Sequence, residues 1–221
     1  MFIAHFGIGF GAKAAAPRVS LGSLFLAAQF IDLVWPTLIL SGIERVNVIT
    51  DGSRNPPLDF AYYPYSHSLL AVAGWALLFA AAYFIVRRNR IGAFVLGLAV
   101  ISHWLLDLMV HYPDLQLYPG SSLLLGFGVW SSPSVALLLE LAVFAAGVRL
   151  YLRCTRASDA TGKWSLWSLI AVLLLIQIGN VFGAPPPSAA AVAWVGQAQW
   201  LLVAWGYWVD SHRHPVAGRQ A

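Results

Sequence analysis

Charged side chains are scarce in this sequence. Of its 221 residues, 10% are Asp, Glu, Lys or Arg and 59% are hydrophobic, and the mean hydropathy is +0.72. Soluble domains carry about 25% charged residues, so this composition excludes an ordinary soluble protein. The one cysteine, Cys154, excludes a disulfide within the chain. The sequence therefore predicts an all-α integral membrane protein.

Long apolar runs divide the chain into candidate spans. Each run covers about 18 to 24 residues, enough to cross a hydrocarbon core of about 30 Å. No shift in composition indicates a second domain, so we expect one polytopic membrane domain over residues 1–221. We predict about six transmembrane helices, at residues 19–42, 68–86, 91–110, 134–152, 166–182 and 189–209.

The first dozen residues, MFIAHFGIGFGA, are apolar but too short to span a membrane. They lack the charged start and the small-residue cleavage site of a signal peptide. Their glycines favour close packing against a neighbouring helix. We interpret residues 1–16 as an N-terminal half-helix or re-entrant segment that turns near Pro17. The alternative, a segment lying flat on the cytoplasmic surface, would remove His5 from any site in the bilayer.

Basic residues predict the orientation. If Lys13 and Arg18 are cytoplasmic, the six spans place eleven of the thirteen Lys and Arg residues on that side and leave Arg45 and Arg54 outside. The positive-inside rule favours this arrangement, which predicts an inner (cytoplasmic) membrane protein with a cytoplasmic C-terminus and no nucleic-acid partner. We interpret the tail as a solvated cytoplasmic end that includes Asp210, His212, His214 and Arg219.

The segment ISHWLLDLMVH carries ionisable residues at a spacing of four. His103, Asp107 and His111 therefore follow one stripe of a predicted helix. An ionisable group in hydrocarbon is costly unless it is paired, hydrated or bound to a metal. Histidine and carboxylate side chains are common ligands of zinc, manganese and iron. A hydrogen bond between His103 and Asp107 that only packs helices is the alternative.

Other ionisable residues fall at a similar depth. With a rise of about 1.5 Å per residue, seven of them come out in the outer half of the bilayer. We predict that His103 and Asp107 bind a divalent metal, which we expect to be zinc, with manganese or iron as alternatives. The candidate remaining ligands are His5, Asp32 and His67. The candidate catalytic residues are Glu140, as a bridging ligand, a support for a ligand or a general base, and His111, for which a solvated or capping role is the alternative.

Two outer loops follow from the same topology, at residues 43–67 and 111–133. Both are rich in Tyr, Pro and Ser, and the second also contains Trp130. They could cover a cavity or admit a lipid headgroup, or they could be ordinary interfacial loops.

Three short motifs, AHFGIG, YSHSLL and SHWLLD, resemble those of the YdjM-like family of bacterial inner membrane proteins, which are described as membrane-bound metal-dependent hydrolases. The resemblance covers about residues 1–111, so Glu140 lies beyond it. It implies a metal-dependent hydrolase whose metal is held at the matching positions, which are His5, Asp32, His67, His103 and Asp107.

We therefore expect an enzyme that uses metal-activated water on a lipid or lipid-linked ester or phosphoester in the outer half of the bilayer. The alternative is a proton- or cation-coupled transporter or permease that uses the same buried residues. Their clustering toward one face argues against transport, because alternating access expects a site near the midplane. A scaffold without activity has no need for this many buried ionisable groups.

Overall fold

The structure, a computed structural model, describes residues 1–216, and helices make up most of this part of the chain. The helices are α1 (Ile3–Ala12), α2 (Leu21–Ala28), α3 (Phe30–Leu40), α4 (Pro64–His67), α5 (Leu69–Arg87), α6 (Arg90–Val110), α7 (Pro133–Cys154), α8 (Ala160–Phe182), α9 (Ala189–Gln197) and α10 (Gln199–Ser211). The strands form three antiparallel pairs, β1 (Arg45–Val48) with β2 (Leu58–Tyr62), β3 (Leu115–Gln116) with β4 (Leu124–Leu125), and β5 (Thr155–Ala157) with β6 (Arg213–Pro215). Arg219 lies outside the described residues.

Four helices, α5 to α8, are each long and apolar enough to cross a membrane. They overlap the predicted helices at residues 68–86, 91–110, 134–152 and 166–182, although α8 begins earlier, at Ala160. The bent pair α2 and α3 gives a fifth span if it is counted as one. Within the described residues the structure thus supports four or five spans, and the predicted count of six is not confirmed.

The predicted helix at residues 19–42 is broken in the middle. Its two halves, α2 and α3, are bent by 56°. Gln29 lies between them with φ −97° and ψ 2°, and its buried amide Nε2 lies 3.4 Å from the carbonyl oxygen of Phe2. The bend allows α2 to pack against α1 and α6 while α3 packs against α9.

The predicted helix at residues 189–209 is also divided, at Ala198. Its halves, α9 and α10, have nine and thirteen residues, so each is too short to span a membrane alone. The halves pack against different neighbours, α9 against α3 and α10 against α2 and α8.

Helix α1 is an apolar helix of ten residues inside the bundle. It packs closely against α7, because a Cβ atom at Gly7 would lie only 2.8 Å from the Cα of Phe144. The rings of Phe6 and Phe10 pack edge-on against Phe25 of α2. The predicted half-helix at residues 1–16 is therefore seen as a packed helix, and His5 lies on it.

The C-terminal tail folds back onto the connection between α7 and α8, where β6 pairs with β5. Asp210 accepts from Lys13 Nζ at 2.7 Å and from the Tyr151 hydroxyl at 3.2 Å. We call Lys13, Tyr151 and Asp210 the tail cluster. The prediction that Asp210 is solvated is wrong, because its side chain is only 12% exposed and pairs with a buried lysine. His212 pairs with Asp159 nearby, at 2.8 Å.

Candidate metal centre

The five residues predicted to bind metal come together from four helices. α1 provides His5, α3 provides Asp32, and α4 ends at His67. His103 and Asp107 lie one turn apart on α6, as their spacing predicts. Burial is nearly complete for these side chains except Asp32, which is partly accessible. Residues separated by as many as 102 positions along the chain thus share one small volume.

Two histidine nitrogens face two carboxylate oxygens at the centre of this group. His103 Nε2 lies 3.5 Å from Asp32 Oδ1 and 3.2 Å from Asp107 Oδ2. His67 Nε2 lies 3.6 Å and 3.8 Å from the same two oxygens. We call these four residues, Asp32, His67, His103 and Asp107, the inner set.

The hydrogen bond on the far side of His103 fixes its tautomer. His103 Nδ1 lies 3.0 Å from the carbonyl oxygen of Ala28, the last residue of α2. A carbonyl only accepts, so we assign the proton to Nδ1, which leaves a lone pair on Nε2. That Nε2 is buried and has no hydrogen-bond partner. A neutral His103 therefore points a lone pair at two carboxylates.

His67 is oriented in the same way through Ser66. The Ser66 hydroxyl donates to Glu44 Oε2 at 2.6 Å, since an ionised carboxylate only accepts. This uses the one hydroxyl proton, so His67 Nδ1 donates to Ser66 Oγ at 2.7 Å and Nε2 keeps its lone pair. Glu44 also accepts from the backbone N–H groups of Tyr65 and Ser66, both at 2.8 Å. Support of this kind is typical of metal-binding histidines.

Neither support of His67, Ser66 or Glu44, was predicted from the sequence. The pair Ser66-His67 within the YSHSLL motif was a usable signal, because a hydroxyl next to a histidine can fix its tautomer. Glu44 gave no comparable signal, because it is a single carboxylate in an outer loop and no spacing rule relates it to a serine 22 residues later.

The second oxygen of Asp107 is already satisfied. Asp107 Oδ1 accepts from the α-amino group of Met1 at 2.7 Å and from His5 Nε2 at 3.2 Å. The His5 ring stacks on the His103 ring, with centroids 3.7 Å apart and planes 5° apart. His5 thus holds one side of Asp107, and Oδ2 is left to face His103 and His67.

Lone pairs and carboxylate oxygens that face each other in a buried site repel unless a cation separates them. Within residues 1–216, two groups of three residues could hold a metal ion, His5 with His103 and Asp107, and Asp32 with His67 and His103. The groups share His103, whose Nδ1 is occupied by Ala28. The donor set of imidazole and carboxylate suits a divalent transition metal.

The two candidate catalytic residues lie beside the inner set and belong to neither group of three. Glu140 on α7 accepts from the backbone N–H groups of Phe2 at 2.8 Å and Ala4 at 3.4 Å, through Oε2. It therefore caps the start of α1, the helix that carries His5. This accounts for a buried glutamate without a basic partner.

His111 follows the last residue of α6. Its Nδ1 lies 2.9 Å from Asp114 Oδ1, and its ring centroid lies 4.2 Å from that of Trp130. The Tyr63 hydroxyl donates to the same Asp114 oxygen at 2.6 Å. Burial and the Asp114 carboxylate raise the pKa of Tyr63, so the phenol stays protonated and remains a donor. His111 is thus held by hydrogen bonds and is not solvated.

A cavity of about 470 Å³ opens from the inner set. Its volume is typical of small-molecule sites. Its inner end is lined by Asp32, His67, Asp107, His111 and Glu140. Residues 55–58, Phe60 and Trp130 of the two outer loops cover it, and α8 and α9 form its far wall. The prediction that the outer loops could cover a cavity is confirmed.

Comparison with known proteins gives one match. A family model described as YdjM inner membrane protein matches residues 64–185, more than half of the chain. The match confirms the resemblance drawn from the short motifs, and it extends through α7 and α8. It contains His67, His103 and Asp107, whereas His5 and Asp32 lie before it. No curated protein and no solved structure matches the chain.

Proposed function

This chain belongs to the family of YdjM inner membrane proteins, and we propose that it is a membrane-embedded, metal-dependent hydrolase of a lipid or lipid-linked ester or phosphoester. The protein is a multi-pass inner membrane protein embedded in the lipid bilayer. One observation carries the proposal. The Nε2 atoms of two imidazoles meet two carboxylate oxygens, 3.2 to 3.8 Å apart, at the end of a cavity.

We propose that the inner set holds one divalent ion. His103 can offer only Nε2, so the two groups of three that share it cannot each hold an ion through it. His5 Nε2 donates to Asp107, which makes His5 a positioning residue beside the ligands. Two histidines with two carboxylates suit zinc, with manganese or iron as the alternatives.

The chemistry divides between the metal and the side chains around it. A divalent ion held by the inner set would supply a water molecule activated as nucleophile and would polarise an ester or phosphoester oxygen. His111 donates from Nδ1 to Asp114, so its Nε2 is the atom that would accept a proton. Glu140 Oε2 holds α1 in place, and its second oxygen is a further proton acceptor on the cavity wall.

A lipid substrate is favoured by the route into the cavity. The far wall includes Val181, Val192 and Val195, and Val195 is 72% exposed. We propose that this apolar wall faces lipid in the bilayer and that an acyl or prenyl chain enters the cavity past it. With the orientation that the basic residues predict, the site lies in the outer half of the bilayer and the C-terminus is cytoplasmic.

Transport by the same residues would need access from both faces of the bilayer. The described residues that line the cavity include none from the tail cluster, which lies at the opposite ends of α7 and α10. This placement favours hydrolysis over transport. Counterflow of a cation in proteoliposomes, without hydrolysis, would favour transport.

The experiment is a hydrolysis assay on the detergent-purified protein with fluorogenic decanoyl esters and phosphodiesters. The protein is stripped with a chelator and reloaded with zinc, manganese or iron. We expect activity that depends on metal, is lost in His103→Ala and is retained in His212→Ala, which alters a histidine–aspartate pair outside the cavity. Equal activity of the two variants would refute the proposal.

A further inference from the structure

Three residues that line the same cavity, none of them a member of the inner set, carry a buried polar atom without a partner. Gln177 of α8 is 4% exposed, and its Oε1 has no hydrogen-bond partner. Trp35 of α3 is 8% exposed, and its Nε1 has none either. Gln199, which begins α10, leaves a third such atom in its Oε1. All three residues line the cavity of about 470 Å³.

Such atoms are expensive in the interior of a membrane protein. A buried polar atom without a partner loses its hydrogen bonds to water and gains none in return. Transmembrane helices normally use glutamines to bond to a neighbouring helix. Gln197 does so, because its Nε2 donates to Thr37 Oγ1 at 2.7 Å. Gln177 and Gln199 instead leave their carbonyl oxygens unpartnered beside the cavity.

The charge of the lining limits what the cavity can accept. None of the described residues that line it is a lysine or an arginine, whereas Asp32, Asp107 and Glu140 are acidic. Terminal phosphates are normally recognised by arginine or lysine. The polar lining residues Gln177, Gln199 and Trp35 therefore suit a neutral group, since an amide offers both a donor and an acceptor and an indole offers a donor.

We propose that Gln177, Gln199 and Trp35 form a subsite for the neutral, hydroxyl-bearing head of a lipid, of the glycerol or sugar type. Glutamine carbonyls accept from its hydroxyls, and Trp35 Nε1 donates to one of its oxygens. The hydrocarbon tail leaves past Val192 and Val195 toward the bilayer. That this lipid is the substrate rests on the proposed function. That the subsite binds the lipid head does not depend on it.

Binding of two lipid probes to the full-length protein in detergent tests this subsite. The probes are 1-O-decylglycerol, an ether that cannot be hydrolysed as an ester, and decyl phosphate, which has the same tail and a charged head. Isothermal titration calorimetry on protein stripped with a chelator, in which no metal can bind the phosphate, should show decylglycerol binding about tenfold more tightly than decyl phosphate. Preference for decyl phosphate, or equal affinity, would overturn the proposal.

Variants of a glutamine that lines the cavity and of one that does not provide the matched comparison. We expect Gln177→Met to weaken decylglycerol binding about tenfold, the effect of losing one good hydrogen bond. Gln197→Met should leave the affinity unchanged, because Gln197 does not line the cavity. Gln199→Met repeats the test should Gln177→Met fail to fold. Equal affinities of the cavity variant and the control would refute the subsite.

Binding measured without bound metal distinguishes failure of the subsite from failure of the proposed hydrolase activity. The His103→Ala variant should still bind decylglycerol, since none of the three subsite residues belongs to the inner set. Retained binding without any hydrolytic activity in the wild type would refute the hydrolase and keep the subsite. Hydrolysis by the wild type without preference for the glycerol head in binding would support the hydrolase and refute the subsite.

Discussion

The protein buries ionisable groups in two places, and the two are built differently. In the tail cluster, Asp210 receives a lysine ammonium at 2.7 Å and a tyrosine hydroxyl at 3.2 Å, and Lys13 also donates to the carbonyl oxygen of Val19. Donors there face acceptors. In the inner set, two lone pairs on His67 and His103 face the carboxylates of Asp32 and Asp107.

The difference indicates what each cluster is for. The tail cluster is complete with the atoms that the chain supplies, so it stabilises the fold. The inner set is complete only when a positive charge separates its acceptors, and its supports through Ala28 and Ser66 keep the lone pairs directed inward. The first cluster explains stability and the second predicts a ligand.

The largest effect should follow from removing a charge of the inner set. Asp107→Asn takes away one ligand charge and one side of the network that holds His5 and Met1. We expect hydrolysis and bound metal to fall to background, measured by the fluorogenic assay and by elemental analysis. Asp210→Asn is the matched control and should retain metal, so loss of metal in both variants would erase the contrast between the clusters.

The tail cluster should respond in stability. Lys13→Met leaves a mostly buried Asp210 without its cation, and breaking a buried ion pair in this way costs about 3–5 kcal/mol. Thermal or denaturant unfolding in detergent should show this loss, while the metal content per folded chain stays unchanged. Much of the loss should be recovered in Lys13→Met/Asp210→Leu, where no charge is left unpaired. An unaltered unfolding transition in Lys13→Met would contradict the role given to the pair.

Ser66 should affect the metal more than the fold. Ser66→Ala removes the group through which Glu44 orients His67, and loss of such a support typically lowers metal affinity about 10–100-fold. Competition with a fluorescent chelator measures this change. Ser68→Ala is the control, because Ser68 caps α5 through the Ala71 N–H and its loss costs about 1 kcal/mol of stability. A metal affinity that falls equally in both variants would count against the relay.

The smallest effect concerns a pair next to the tail. Hydrogen bonds from His212 and from the Gly162 N–H lower the pKa of Asp159 below its ordinary value of 3.8. A lowered folded-state pKa gives stability that is present above the unfolded-state pKa and is lost as the pH falls through the folded-state value. The advantage of the wild type over Asp159→Ala in unfolding midpoint should therefore shrink as the pH falls below 3.8, with no change in metal content at pH 7. An advantage that is constant down to pH 3 would contradict this.

Local sequence patterns predicted the features that depend on residues close together in the chain, such as helix positions and helix faces. Apolar length located α5 to α8, and a spacing of four placed His103 and Asp107 on one face of α6. Depth counting predicted a similar depth for His5, Asp32 and His67, and the structure brings them together with His103.

Long-range contacts explain what could not be predicted. The break at Gln29 and the division at Ala198 follow from which helices pack against each half, and hydropathy does not encode this. Glu140 caps α1 from 136 to 138 residues away, so no spacing rule suggests it. The pairing of Lys13 with Asp210 spans 197 residues, which is why a charged tail looked solvated.

The most direct test of the central claim is the metal content of the purified wild-type protein. After stripping and reloading, elemental analysis should find about one zinc, manganese or iron ion per chain, because the two groups of three share one nitrogen of His103. Two ions per chain would contradict the shared-ligand argument. No ion would contradict the metal centre itself, and a protonated His103 would then be the charge that separates Asp32 from Asp107.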